Sequence, residues 1–195
     1  ESGKEFRGKM FVDASYEGDI LALAGVTFTT GRESNAQYGE SGNGIRKHYR
    51  TLNEMPYAVS PYIVAGDPSS GLLPRINPTA GGENGDGDKK IQAYCYRVCL
   101  TNDPENRIML DKPEGYNEAD YEILFRALEL GMPKDRCFKL SPMPNRKTDS
   151  NNHYGISMDL NGGNWDYPLA DHATRREIAR AHEIYQKGLI WTVQN

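Results

Sequence analysis

The sequence predicts an α+β fold: a mixed or antiparallel sheet, helices at both ends of the chain, and a long loop-rich insertion. Three observations predict it. The run Ile91-Gln92-Ala93-Tyr94-Cys95-Tyr96-Arg97-Val98-Cys99-Leu100 is rich in Tyr and Val and reads as a strand. The segments Asn117–Leu130 and Asp171–Trp191 repeat apolar residues at helical spacing. Between residues 56 and 87, Pro56, Pro61, Pro68, Pro74 and Pro78 break any helix.

Taken in order, Phe6–Ala14 contains the first expected strand, and Asp19–Ala24 a short helix stopped by Gly25. Val26–Thr30 is β-rich and reads as a second strand. Residues 31–44 are polar and glycine-punctuated, with a helical turn expected near Glu33–Tyr38. In the long loop, Gly66-Asp67-Pro68-Ser69-Ser70-Gly71 and Gly81–Asp88 are turn-forming clusters. A loop of that length inside a compact domain is usually functional or mobile. In the first long helix Asn117 can cap, Asp120 suits the first turn, and Gly131 stops it before Pro133. Its apolar stripe is Tyr121, Leu124, Phe125 and Leu128. The second carries Ile178, Ala181, Ile184, Tyr185 and Leu189 on one side. Thr174 and Glu177 resemble a capping box there, in competition with Asp171 for the cap.

A chain of 195 residues suits one domain, taken as residues 1–195. The hydrophobic share is 37%, the charged share 26% and the mean hydropathy −0.71, which fits a globular domain with long, wet loops. The net charge of −4 argues against general nucleic-acid binding, which needs a basic surface to displace counterions. No run approaches 18 apolar residues, so no membrane span is expected. The expectation is a soluble protein, periplasmic or secreted if a signal peptide has been removed ahead of Glu1. Three cysteines, an odd number, make no disulfide framework. Cys95 and Cys99, on one face of a strand, and the solitary Cys137 read as buried reduced thiols.

The motif search excludes several chemistries. There is no GxGxxG, no GxxxxGK[ST] phosphate loop, no HExxH and no GxSxG. Asn84, Asp86 and Asp88 mimic the start of a calcium loop, but Lys89 stands where glycine is required and Cys95 where an acid is required. They read as a solvated acidic turn, and no metal is expected. The densest polar cluster is Leu140–Tyr154. Within it Arg146 and Lys147 can hold an anion, and Asp149 can pair with them or bind hydroxyls. Asn151 and Asn152 each donate and accept. An exposed polar loop explains the same composition. Trp165 and Tyr167 suit stacking on a flat ring and suit a core edge equally, and His182 reads as packed on its helix.

These blocks together resemble a family of FAD-dependent oxidoreductases. Phe11-Val12-Asp13-Ala14-Ser15-Tyr16-Glu17-Gly18-Asp19-Ile20 resembles its internal "FIDATGDGDL" segment. Gly31–Asn35, Gly66–Pro74, Lys147–Asn152, Asp166-Tyr167-Pro168 and the helix Arg175–Trp191 resemble its later blocks, in the same order. Ser15-Tyr16 departs from the usual Thr-Gly, and the family's GxGxxG unit does not precede Phe11. The resemblance implies a middle, substrate-side region of a larger FAD/NAD(P)-binding-type flavoprotein. It implies that the parent transfers hydride or electrons from a small or carbohydrate-like substrate to FAD. It places Ala14, Ser15, Gly18 and Asp19 on the cofactor side and Arg146, Lys147, Asp149, Asn151 and Asn152 on the flavin or substrate side. The fragment alone is expected to be inactive and to bind no FAD, with the remaining domains of the parent as its partners.

Two other classes stay open. Some relatives carry the label xanthan lyase, and Arg146, Asn151, Asn152, His153 and Tyr154 include the residue types a polysaccharide lyase needs. A non-catalytic module would bind a glycan or a partner through Trp165, Tyr167 and the long loop.

Overall fold

The structure is a computed structural model and describes residues 2–47, 55, 57–78 and 81–195. Pro56, one of the loop-breaking prolines, lies outside them. The architecture of the described residues is α+β: four α-helices, short 3₁₀ turns and a three-stranded antiparallel sheet. The chain divides into two compact units, residues 1–30 and 31–195.

The first unit contains the short helix α1 (Asp19–Leu23). The strands expected over Phe6–Ala14 and Val26–Thr30 do not form. A strand is stabilised by its ladder, and no partner strand lies beside either segment among the described residues. No described residue of this unit is buried, and Phe6, Met10, Phe11, Val12, Tyr16 and Leu23 are all strongly exposed.

The second unit holds the core. Helix α2 (Asn35–Tyr38) is the turn expected near Glu33–Tyr38. Its flanks clasp residues 82–88: Arg32 bridges Asp88, the Asn35 N–H donates to the Gly85 carbonyl at 2.8 Å, the Ile45 N–H donates to the Asp86 carbonyl at 2.8 Å, and the Ile45 carbonyl accepts from the Gly85 N–H at 2.8 Å. The clasp is close enough that a Cβ on Gly44, at φ +65°, would sit 2.5 Å from the Asp86 carbonyl oxygen. The polar side chains of this region are used locally. Asn84 accepts from the Lys47 N–H, Asp86 from the Glu83 N–H, and Asp88 pairs with Arg32.

The sheet has the order β1-β3-β2, with β1 (Val98–Thr101), β2 (Phe138–Met143) and β3 (Lys147–Asn152) all antiparallel. β1 is shorter than the expected Gln92–Leu100 strand for a reason visible in the register. Val98 already faces Ser150, and β3 ends two residues later at Asn152, where the chain turns through Tyr154 at φ +60°. Upstream only Cys95 finds a bridge, to Asp159.

The expected helix over Asn117–Leu130 is two pieces. A 3₁₀ turn, Glu118–Tyr121, is capped by the Asn117 side chain and leads into α3 (Glu122–Glu129). Helix α4 (His172–Gln194) runs three residues beyond its expected end, and Asp171 wins the cap by accepting from the Thr174 N–H at 2.8 Å. Leu124 and Ala127 of α3, Phe138 of β2, Met158 and Leu160 of the following segment, and Tyr185 and Leu189 of α4 form one buried cluster. Two tyrosines tie it together: Tyr121 Oη donates to the Tyr185 carbonyl at 2.9 Å, and Tyr185 Oη to the Ser157 carbonyl at 3.0 Å. Among the described residues no helix is long and apolar enough to cross a membrane.

Candidate functional site

In the first unit the residues expected on the cofactor side form a self-contained turn. Asp13 Oδ1 accepts from both the Ser15 N–H (2.9 Å) and the Ser15 hydroxyl (2.7 Å), and Ser15 Oγ accepts from the Gly18 N–H (3.1 Å). Asp13 Oδ2 then accepts from the Leu21 N–H (3.2 Å), so this carboxylate satisfies the start of α1 from outside the helix. The Ser15 hydroxyl and amide hold the Asp13 carboxyl below the usual carboxylate range. Gly18, at φ +66°, supplies the left-handed step into the helix. Asp13 was not among the residues singled out, although an Asp two residues before a Ser is a recognisable turn signal.

In the second unit the polar cluster 140–154 is a hairpin, not a loop. Asn145 (φ +60°) and Arg146 (φ +56°) occupy consecutive left-handed positions, as a type I′ hairpin turn requires. Asn is common there and Arg is not. The arginine is held by donating Nε to Asn102 Oδ1 (3.2 Å) and Nη2 to the Asn102 carbonyl (3.1 Å), with an ion pair to Asp103 (3.3 Å).

Strand alternation then sorts the remaining candidates. Lys147, Asp149 and Asn151 share one face of β3, beside exposed Cys99 of β1 and exposed Lys139 of β2. Ser150, fully buried, and Asn152 point to the other face, toward Val98 and Phe138. Five candidates close in sequence are thus three on an outer face, one at the hairpin tip and one inside. On the outer face Asp149 is paired with Arg97, which donates Nε at 3.2 Å and also engages it through Nη2. Lys147 forms no ion pair among the described residues and remains a cation able to meet an anionic or electron-rich group. Asn151 Oδ1 accepts from the Asn152 N–H at 2.8 Å, and its amide NH₂ retains two donors.

Asn152 leads inward to a half-buried acid that sequence reading missed. Asp159 receives hydrogen bonds from Cys95 and from Asn152, and burial pushes its carboxyl above the usual range. The same burial, with Asp159 next to it, pushes the Cys95 thiol up to about 11. Cys137 is buried as expected, and desolvation pushes its thiol up to about 12. The expectation of three buried thiols is corrected at two of them: Cys95 is half-buried, and Cys99 is exposed because β1 is an outer strand that presents it on the outer face.

Of the residues of the lyase reading, His153 and Tyr154 have their ring centroids 4.2 Å apart, but Arg146 lies away from them. Arg146 and His153 bracket β3, on the order of 20 Å apart at about 3.3 Å per residue. His153 Nδ1 lies 3.1 Å from the Arg136 carbonyl. The aromatic pair of the binding-module reading is engaged by the protein itself: Lys90 lies over Trp165, and Tyr94 and the Arg175 guanidinium pack against Tyr167. His182 is buried on α4, with Nδ1 2.9 Å from the Ile178 carbonyl and its ring stacked on Tyr96.

Fold and site together describe two units: residues 31–195, an α+β unit that offers a polar sheet face, and residues 1–30, built around an acid-braced turn. The sequence matches the family described as FAD dependent oxidoreductase over residues 1–195, and the chain belongs to that family. Comparison with curated proteins and with solved structures finds no match. FAD is the cofactor the family implies. The 14–19 turn does not by itself fit that group. The Asp13 carboxylate is spent on its own turn, Gly18 has no heavy atom within 4 Å of where a Cβ would stand, and Ala14, Ser15 and Tyr16 are exposed, so no wall encloses a ligand.

Proposed function

We propose that this chain is the substrate-side, middle portion of an FAD-dependent oxidoreductase that oxidises a small or carbohydrate-like molecule. The observation that carries the reading is the family match along the whole chain, combined with an outer sheet face that concentrates Lys147, Asp149 and Asn151. In this reading Lys147 supplies positive charge toward the substrate or the flavin, and Asn151 orients a polar group through its amide. The Arg97–Asp149 pair fixes the floor between them. Ala14, Ser15, Gly18 and Asp19 face the cofactor only when the remaining domains of the parent complete the site. Those domains also cover the exposed apolar side chains of residues 2–30.

Two measurements test this. FAD added to the isolated chain should leave Trp165 and Trp191 fluorescence without a saturable change; tight stoichiometric binding would instead mean that this segment carries a complete site. In the complete flavoprotein, Lys147→Met and Asn151→Ala should each lower kcat/KM about tenfold or more, roughly 1.4 kcal/mol of transition-state stabilisation, at unchanged flavin content. Unaltered kinetics in both variants would remove the sheet face from the active site.

A further inference from the structure

A second site lies away from the sheet. Helix α4 and the segment 110–114 enclose a groove of about 740 Å³, within the size range of small-molecule sites. Its floor is apolar and fixed: Tyr96 donates its hydroxyl to the Ala179 carbonyl at 3.0 Å, and Leu110 and Ile184 are half-buried beside it. Gly115 brings the segment against the helix, because a Cβ there would stand 3.3 Å from Ile184 Cδ1.

The rim is unusual in its charges. Arg176 and Arg180 stand one helical turn apart on the groove side of α4, both exposed. Neither donates a hydrogen bond or forms an ion pair with a described residue; Arg176 lies in the field of Asp171 and Arg180 in that of Glu183. Those attractions act at a distance and leave both guanidinium forks without a hydrogen-bonded partner among the described residues. Like charges at this spacing repel. The other charges of the groove are largely occupied or limit what can enter. Lys187 pairs with Glu183, Lys112 lies over the rings of Tyr116 and Trp191, and Asp111 and Glu114 also line the groove, disfavouring an anion placed against them and leaving the Arg176–Arg180 end as the anion's place.

We infer that this groove binds a compact anionic ligand, a carboxylate or phosphate attached to an apolar or aromatic body. Arg176 and Arg180 grip the anion through their guanidinium forks, and Tyr96, Leu110 and Ile184 take the body. The site is distinct from the sheet face, and the inference does not depend on the proposed oxidoreductase role.

Phenyl phosphate and benzoate are suitable probes, titrated into the chain by calorimetry and by amide chemical-shift mapping. At least one should bind saturably and shift the amides of residues 96, 110–114 and 176–187. Arg176→Gln combined with Arg180→Gln should weaken that binding at least tenfold while the helical circular dichroism is kept, since Gln is as good a helix former as Arg. A preference for phenyl phosphate or for benzoate identifies the anion the site takes. Absence of binding by both probes, shifts confined to other surfaces, or equal affinity in the double variant would overturn the inference.

Discussion

At the residue scale, Arg126 does more for this fold than its half-polar helix position suggests. Its guanidinium donates to the carbonyls of Ser60 (3.1 Å), Tyr62 (2.6 Å) and Ile63 (2.9 Å) and to Glu122 Oε1 (2.7 Å), which fastens the long loop to α3. A lysine cannot reproduce that fork. Arg126→Lys should therefore lower the unfolding free energy by about 2 kcal/mol, read as a fall in the urea midpoint; an unchanged midpoint would mean the loop is held by other contacts. The thiols make a second test. Thiolate is the reactive form, so iodoacetamide on the native protein should modify Cys99 first and spare Cys95 and Cys137, as followed by peptide mass. Rapid labelling of Cys137 would show that the core is open around it. The long-range bonds of Arg126 to residues 60–63 and of Asp159 to Cys95 were not legible in the sequence, because their partners lie more than 60 residues away along the chain. Asp13 was legible in principle, since its partners lie within eight residues.

At the element scale, α4 contains a glycine in its interior, which costs about 1 kcal/mol relative to alanine. The cause is tertiary: Gly188 lies under the Tyr121 hydroxyl, and a Cβ would also meet Tyr116 Cδ2 at 3.1 Å. Gly188→Ala should destabilise by about 1–3 kcal/mol despite its better helix propensity, and Tyr121→Phe in the same chain should recover part of the loss. Additive losses in the double variant would show that the clash is elsewhere. The cap of the same helix sets part of the pH response. The Thr174 amide, then its hydroxyl, hold Asp171 below the usual value of 3.8, so its stabilisation is present above that pH and is lost as the pH falls through the lowered value. Asp171→Asn should keep most of the neutral-pH stability and flatten the acid limb of a thermal midpoint against pH curve. An identical acid limb would assign the response to other carboxylates, such as Asp88 beside Arg32. Helices were the readable elements, because periodicity and caps are local signals: Asn117 and Asp171 both cap as read or as weighed. The hairpin was not, since Lys147–Asn152 holds no β-branched or apolar run beyond Thr148 and is a strand only through its neighbours on both sides.

At the scale of the whole molecule, the described core belongs to residues 31–195, and nothing described in residues 2–30 is buried. Removing residues 1–30 should leave the thermal midpoint within about 2 °C, measured by circular dichroism, because little apolar area is lost from the packed state. A large fall would mean that the first unit supports the second. The same division explains what the sequence reading over-predicted. Phe11-Val12 has strand composition, but composition supplies no ladder partner, and both expected strands of this region need one. The α+β class survived that loss because β3, the strand hardest to see, joins β1 to β2.

That small sheet also decides how the protein meets its own copies at high concentration. Among the described residues the outer edges of β1 and β2 have no partner strand, and unpaired edges are the usual starting point for edge-to-edge aggregation. β1 offers only four residues, with Arg97 just ahead of it. β2 carries Pro142, which has no N–H to give a newcomer, and Lys139, whose charge a second strand would have to bury. A fourth strand from a neighbouring molecule finds too short a template on one side and an interrupted, charged one on the other, so the three-stranded sheet is a natural stopping point for β-assembly.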